Sequence, residues 1–141
     1  MKLLFAVGLF CFSFINCKTH QLTYKKQMKE AYLYTFKLTY IKKMLTAGFN
    51  NSEAIKAQLA KDGSGYGEPL LLLEDYKIID SFVLIDNARM IQDSINRIGK
   101  VAEGAQGKHV LTNSLSKFQS KWLDSLANAR YRLYLKASNA K

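Results

Sequence analysis

Residues 113–134 read NSLSKFQSKWLDSLANARYRLY, and this stretch carries the clearest fold signal in the chain. Drawn as a helix of 3.6 residues per turn, it and the residues just before it place apolar side chains along one narrow arc. The residues on that arc are Leu111, Leu115, Phe118, Trp122, Leu126, Ala129 and Leu133. Asn113 or Ser114 can cap the start of the helix. The pattern predicts one amphipathic helix that buries the arc in a hydrophobic core.

A second long helix is predicted from about Tyr24 to Thr46, and it has two apolar rows. The broader row comprises Tyr24, Met28, Ala31, Tyr34, Leu38, Ile41 and Leu45. The second row comprises Leu33, Phe36, Tyr40 and Met44. Two rows indicate either a central helix of a bundle or a helix whose second row contacts a partner.

The middle of the chain adds further helices and two loops that contain several glycines. A short helix is predicted over 52–61, followed by the loop DGSGYGEP at 62–69. A helical pattern then covers 70–103. Because a straight helix of that length is too long for a compact domain of this size, we expect a bend or break within 81–87, where Asp86 and Asn87 offer a new cap. The second loop, AEGAQGKH, lies at 102–109.

Together these elements predict an all-α fold, a single-domain helical bundle of four to five helices over 24–136 with a short tail at 137–141. The chain has a single proline in 141 residues, which agrees with a helical fold.

The first seventeen residues, MKLLFAVGLFCFSFINC, have the layout of a signal peptide. Lys2 precedes an apolar run that is too short to span a bilayer as a mature helix. The end of the run resembles a bacterial lipoprotein cleavage site, which makes Cys17 a lipidation candidate. An ordinary signal peptidase could instead cut after Cys17 or after Ser13. The sequence thus predicts export to the periplasm, with 18–23 as a linker and with membrane anchoring if Cys17 carries a lipid.

The chain is basic, with a formal net charge of +10 and the excess concentrated at its two ends. Basic proteins often bind nucleic acid, but an exported protein meets little of it. An acidic protein surface or anionic lipid headgroups are the better predicted partners. Most of the lysines are expected to lie on solvated helix faces.

No catalytic arrangement is apparent in the sequence. After removal of the signal peptide the chain has no cysteine, and His109 is the only histidine in the predicted domain. A single imidazole does not make a zinc site or provide a choice of catalytic bases. Acidic residues such as Asp86 are expected to be helix-surface charges that pair with nearby arginines. The sequence predicts a protein that is not an enzyme and needs no metal or cofactor.

The stretch at 113–134 resembles the C-terminal helix of the type VI secretion system amidase immunity proteins. The shared pattern is a leucine, an aromatic residue three positions later, a serine, a Leu-Asp pair and another leucine. In this chain the pattern falls on Leu115, Phe118, Ser120, Leu123-Asp124 and Leu126. The preceding SINRIGKVAEGAQGK at 94–108 is similar to the connection that leads into that helix. Family members often have a cysteine where Ser114 stands, and another in the first helix, and this chain has neither.

The resemblance implies a periplasmic helical protein that binds a secreted peptidoglycan amidase and inhibits it by blocking its active-site cleft with a projecting loop. Candidate contacts on the two loops are Ser64, Tyr66, Glu68, Gln106, Lys108 and His109. The candidate contact of a homodimer is the second apolar row of the first helix, namely Leu33, Phe36, Tyr40 and Met44. The alternative function is that of a structural or adaptor lipoprotein that binds another component of the cell envelope.

Overall fold

The computed structural model describes residues 2–65 and 70–138, with side chains from Leu22 onward. The described residues form five α-helices and contain no strand. The helices are α1 (Lys2–Gly48), α2 (Glu53–Lys61), α3 (Leu73–Arg97), α4 (Val110–Phe118) and α5 (Lys121–Ser138), with a short 3-10 helix at Glu103–Ala105. The prediction of an all-α bundle is confirmed for this part of the chain.

The chain divides into two compact units, one ending at Ala31 and the other beginning at Tyr32. The backbone of α1 is helical from Lys2, through the segment 18–23 where a linker was expected. The sequence predicted that a helix starts at about Tyr24, but α1 continues through this residue without a boundary. The side chain of Cys17, the lipidation candidate, lies outside the described residues.

In the second unit, α1 and α3 run in the same direction, and α4 and α5 run antiparallel to both. Tyr32 and Tyr40 of α1 contact Asp75 and Asp86 of α3 in the same order along each helix. On α5 the order is reversed, because Trp122 lies beside Tyr40 whereas Tyr131 lies beside Tyr32. The core fills the space between these helices.

The second apolar row of α1 faces this core. Phe36 and Tyr40 are completely buried, Met44 is 2% exposed, and Leu33 packs against them. These side chains are therefore occupied inside the bundle, and the predicted dimer contact through this row is wrong. Hydrophobicity alone did not distinguish the two rows. The second row also carries Tyr40, whose hydroxyl donates a hydrogen bond to the Asp86 carboxylate of α3.

α3 is one helix of 25 residues, so no break occurs within 81–87, and that part of the prediction is wrong. Asp86 was a candidate cap for a new helix, but its carboxylate instead accepts a hydrogen bond from the Tyr40 hydroxyl. The helix ends early, at Arg97, and Gly99 follows with φ +72°, a left-handed conformation that glycine adopts without steric cost. The domain stays compact because the helix stops here.

The last predicted helix is in fact two helices, with a break at Gln119 and Ser120. The Ser120 hydroxyl accepts a hydrogen bond from the backbone N–H of Leu123, which caps the start of α5. The break changes which side chains face inward. The buried residues of α4 and α5 are Val110, Ser114, Leu123, Ala127 and Tyr131.

The predicted core arc is consequently wrong for most of its members. Leu111, Leu115, Trp122 and Leu133 are between 43% and 60% exposed. Leu126 does pack against the core, although it is only partly buried. The interruption at Ser120 shifts the phase of the arc for Trp122 and Leu133, which follow it. Leu111 and Leu115 precede it, and there α4 buries Val110 and Ser114 instead.

Two buried polar networks hold the helices in place. In the first, Asp75 accepts hydrogen bonds from the Tyr32 hydroxyl at 2.8 Å and from Arg130 Nε at 2.6 Å, and it also accepts one from the backbone N–H of Leu72. This Asp75 network joins α1, α3 and α5. Burial, together with the neighbouring carboxylate, raises the pKa of Tyr32 well above its ordinary value.

In the second, Asp86 accepts hydrogen bonds from the Tyr40 hydroxyl at 2.6 Å and from Lys117 Nζ. Arg89 Nη1 lies 3.5 Å from the same carboxylate. This Asp86 network joins α1, α3 and α4. Burial, and then the contact with Asp86, raises the pKa of Tyr40 well above its ordinary value.

Candidate functional site

The loop between α3 and α4, residues 98–109, has a defined shape and carries three of the predicted contact residues. Its centre is the 3-10 turn, in which the Ala105 N–H donates to the Ala102 carbonyl at 2.8 Å. Gly107 has φ +114°, and His109 has φ +48°. Glycine adopts such a conformation without steric cost, but for His109 it is unfavourable and persists only where the surrounding contacts hold it.

Those contacts come from the loop itself and from the turn that follows α1. Lys108 Nζ donates to Asn50 Oδ1 at 2.6 Å. His109 Nε2 lies 2.9 Å from the carbonyl oxygen of Ala105. Asn113 Nδ2 donates to the carbonyl oxygens of Lys108 and His109. The loop is therefore fixed at its centre and at its C-terminal end.

The ends of α1 and α4 also meet closely beneath this loop. A Cβ added at Gly48 would clash with the side chain of Val110, so glycine is required for this approach. The last turn of α1 and the first turn of α4 thus provide a rigid support for the loop.

Within this loop the three predicted contact residues have different environments. Gln106 and His109 are exposed, whereas Lys108 is partly buried and uses its amine to hold Asn50. Lys108 and His109 therefore stabilise the conformation of the loop, and the exposed Gln106 and His109 side chains form its outer surface. The structure brings these three residues together in one short segment.

The other predicted contacts lie in a separate loop after α2. Ser64 donates to Asp62 Oδ1 from both its backbone N–H, at 3.1 Å, and its hydroxyl, at 2.6 Å. These bonds, with a hydrogen bond from Lys42, lower the pKa of Asp62 to about 2. Tyr66 and Glu68 lie outside the described residues.

A groove on the other side of α4 was not identified from sequence. Two adjoining surface cavities of about 200 and 180 Å³ share Asp86, Arg89 and Lys117 in their walls. We call this surface the Asp86 groove. Its remaining lining residues are Met44, Met90, Asp93, Asn113, Phe82, Ile85 and Trp122.

Trp122 forms one wall of the Asp86 groove and is 43% exposed. Its ring packs edge-on against Phe82 at 5.0 Å and against Tyr40 at 6.1 Å. Lys117 Nζ lies 4.5 Å from the same ring, within the range of a cation–π interaction. An inward role for Asp86 could have been inferred from its spacing, because it shares a helical face with Ile79, Val83 and Met90.

The expected pairing of Asp86 with Arg89 is present, at 3.5 Å, but it is the weakest contact of this carboxylate. The closer contacts come from Tyr40 and Lys117, on two other helices. These contacts depend on tertiary structure, and the local spacing of charges does not predict them.

Within the described segments, no three histidine, cysteine, aspartate or glutamate side chains are grouped as a metal site requires. Across the same segments, no helix has an apolar stretch of the length needed to cross a membrane. No protein-family model, curated protein or solved structure matches the chain.

Proposed function

We propose that this chain is a periplasmic immunity protein that binds a secreted peptidoglycan amidase and inhibits it by inserting the loop 98–109 into the active-site cleft. The observation that carries the proposal is the fixed conformation of this loop, which presents Gln106 and His109 to solvent on a rigid support.

A fixed loop suits an inhibitor that must bind tightly without doing chemistry. Ordering a flexible loop on binding costs conformational entropy, and that cost subtracts directly from affinity. Here Lys108, His109 and Asn113 already order the segment in the free protein. More of the contact energy is then available for binding.

The residues behind the family resemblance support the fold that this proposal needs. Phe118 lies beneath Lys37, with Nζ 4.6 Å from its ring, and Asp124 forms an ion pair with the same lysine at 2.6 Å. Ser120 caps α5, and Leu123 is fully buried. In this chain the residues of the shared pattern lie at and around the corner between α4 and α5. Phe118 and Asp124 connect that corner to α1 through Lys37.

Two glycine substitutions can identify the loop that contacts the amidase. Gly107 and Gly65 both have left-handed φ values, of +114° and +128°, and neither has an atom closer than 3.6 Å to an added Cβ. Replacement by alanine therefore strains one loop or the other without steric overlap, by roughly 1–2 kcal/mol or more. Gly63→Ala is the matched control, because Gly63 has open space around it and no left-handed φ.

The proposal expects an exported cysteine amidase to be encoded beside this chain, and the absence of one would count against it. The assay measures peptidoglycan cleavage by that amidase, with the chain in excess. We expect complete inhibition by the wild type and by Gly63→Ala, and inhibition about tenfold weaker with Gly107→Ala. A loss confined to Gly65→Ala would assign the contact to the loop at 62–69. Unimpeded cleavage in the presence of excess wild-type protein would reject the proposal.

A second candidate function, an envelope adaptor lipoprotein, is favoured by the charge of the α1 segment that follows Cys17. Lys25, Lys26 and Lys29 are exposed, and Glu30 is the acidic residue beside them. Lysines that close to a lipid anchor would face anionic headgroups. Mass spectrometry of the mature N-terminus tests this function, and an unmodified start at Lys18 would contradict it.

A further inference from the structure

The smaller cavity of the Asp86 groove, of about 180 Å³, combines cationic groups with apolar side chains. Its charged lining residues are Asp86, Arg89 and Lys117, and its apolar ones are Phe82, Ile85 and Trp122. These six side chains come from α3, α4 and α5. The cavity therefore offers a ligand both charge and apolar surface.

The two cationic groups of this cavity outnumber the carboxylate that they contact. Lys117 Nζ lies 2.8 Å from Asp86 Oδ2, and Arg89 Nη1 lies 3.5 Å from Asp86 Oδ1. The Tyr40 hydroxyl also donates to this carboxylate, at 2.6 Å. The charge of Asp86 is therefore compensated, and one positive charge of the cavity wall is left over. This excess favours a ligand that carries a negative charge.

Arg89 is the cationic group that a ligand can reach most easily. Its side chain is 71% exposed, whereas the Lys117 side chain is 21% exposed and is held by Asp86. A guanidinium carries five N–H donors in a planar fork that matches the two oxygens of a carboxylate. The contact of Arg89 with Asp86 is long and uses one nitrogen, so donors remain for the carboxylate of a ligand.

Trp122 and Ile85 provide the apolar surface against which the body of such a ligand can pack. They are 43% and 45% exposed, and both line the cavity. The Trp122 ring is held in place by its edge-on contact with Phe82 at 5.0 Å. An apolar cavity of about 150 Å³ in a protein accommodates a benzene molecule. The smaller cavity therefore has room for one aromatic ring.

We propose that the Asp86 groove binds a small carboxylate that bears one aromatic ring, with the carboxylate on the Arg89 guanidinium and the ring against Trp122 and Ile85. A single ring suits a cavity of this volume, which favours a free small acid over a peptide chain. The ligand is placed in the smaller cavity because Asp93 adds a second carboxylate to the wall of the larger one.

The inference does not depend on the proposed function. No residue of the loop 98–109 lines the smaller cavity. The loop can therefore inhibit an amidase whether or not the groove binds an acid, and the groove can bind an acid in a protein that inhibits nothing.

NMR of the ¹⁵N-labelled protein with 3-phenylpropionate tests the site. The chain has a single tryptophan, so the indole N–H of Trp122 reports on the cavity by itself. We expect its signal to shift saturably as 3-phenylpropionate is added. The neutral 3-phenylpropanamide has nearly the same shape and lacks the charge, so it should bind at least about tenfold more weakly.

Two arginine variants test the carboxylate contact. Arg89→Gln removes it and should weaken binding of 3-phenylpropionate at least about tenfold. Arg97→Gln is the matched control, because it removes the same charge from an exposed position of α3 outside the groove. Solvent screens that more distant charge, so the affinity should stay within about twofold of the wild type. Because both arginines are exposed, both variants should keep the wild-type melting temperature.

The absence of a saturable shift at millimolar 3-phenylpropionate would overturn the inference. Equal affinities for the acid and the amide would do so too, as would an Arg89→Gln variant that binds like the wild type. A peptide ending in phenylalanine that binds more tightly than 3-phenylpropionate would assign the site to a peptide C-terminus and count against a free small acid.

Discussion

The Asp75 and Asp86 networks use the same pair of side chains and differ in their access to solvent. Each joins a tyrosine of α1 to an aspartate of α3. In the Asp75 network the carboxylate is fully buried, and the Arg130 side chain is 11% exposed. In the Asp86 network the side chains of Lys117 and Arg89 are 21% and 71% exposed, and both line the groove. One network is sealed in the bundle, and the other connects the core to the surface.

From this difference we expect the Asp75 network to contribute mainly to stability and the Asp86 network to be able to contact other molecules. A charge that cannot reach water depends on its partners, so the sealed network should dominate the free energy of unfolding. A charge with exposed partners can be rearranged at modest cost, so the open network can adapt to a bound molecule. The substitutions below test this division, beginning with the largest expected effect.

Asp75→Ala should be the most destabilising of them. It leaves the Arg130 guanidinium buried without its carboxylate and removes the acceptor of the Tyr32 hydroxyl, for a cost of roughly 3–5 kcal/mol. Asp86→Ala should cost less, about 1–3 kcal/mol, because Lys117 and Arg89 can turn to solvent. Urea unfolding measures both, and Asp93→Ala on the exposed side of α3 is the control. An equal or larger loss with Asp86→Ala would show that the two networks do not differ in this way.

Leu123→Ala and Leu115→Ala extend the comparison to buried and exposed leucines near one corner. Leu123 is fully buried, so its truncation should cost about 2–5 kcal/mol. Leu115 is 56% exposed, and its truncation should change stability by no more than about 0.5 kcal/mol. Thermal unfolding monitored by circular dichroism compares them. A large effect at Leu115 would restore the core face that the sequence predicted for this helix.

Alkaline pH should weaken both networks through their tyrosines. Because folding raises the pKa of Tyr32 and Tyr40, their contribution to stability is complete below the ordinary tyrosine pKa of about 10 and is lost as the pH rises further. We expect the free energy of unfolding to fall less steeply above about pH 10 in the double variant Tyr32→Phe with Tyr40→Phe. Tyr24→Phe, at an exposed position, is the control. Identical slopes for the wild type and the double variant would rule out this coupling.

The smallest effect should come from Asp62, an exposed carboxylate. Its pKa is about 2, chiefly because Ser64 donates to it, so its contribution to stability is complete above the ordinary aspartate pKa of about 4 and is lost as the pH falls toward about 2. Ser64→Ala should move the Asp62 pKa up toward its ordinary value of about 4 without changing the melting temperature. Titration followed by NMR measures the pKa. An unchanged value would mean that Lys42 alone controls the carboxylate.

Much of the secondary structure could be predicted because it depends on local signals. The all-helical composition, the short α2 and the loop before Val110 were all apparent from periodicity and glycine. The break at Ser120 was not apparent, since neither Gly nor Pro occurs there and serine acts as a cap only once the next turn has formed. A missed break then shifted the predicted core face of the following helix.

The candidate site was predictable only in part for a similar reason. The glycines of the loop 98–109 identified it as a loop, but its anchoring through Asn50 joins residues 58 positions apart. The Asp86 groove likewise needs contributions from four helices, and the inward role of Tyr40 depends on an acceptor 46 positions away. Such pairings follow from the tertiary arrangement of the helices and leave little trace in the local pattern.

Hydrogen–deuterium exchange of the protein, with and without the amidase proposed as its target, tests the central claim most directly. If the loop 98–109 occupies the active-site cleft, its amides should gain protection in the complex, and those of the loop after α2 should change little. Absence of protection at 98–109 in a complex that does form would contradict the proposed insertion of this loop into the cleft.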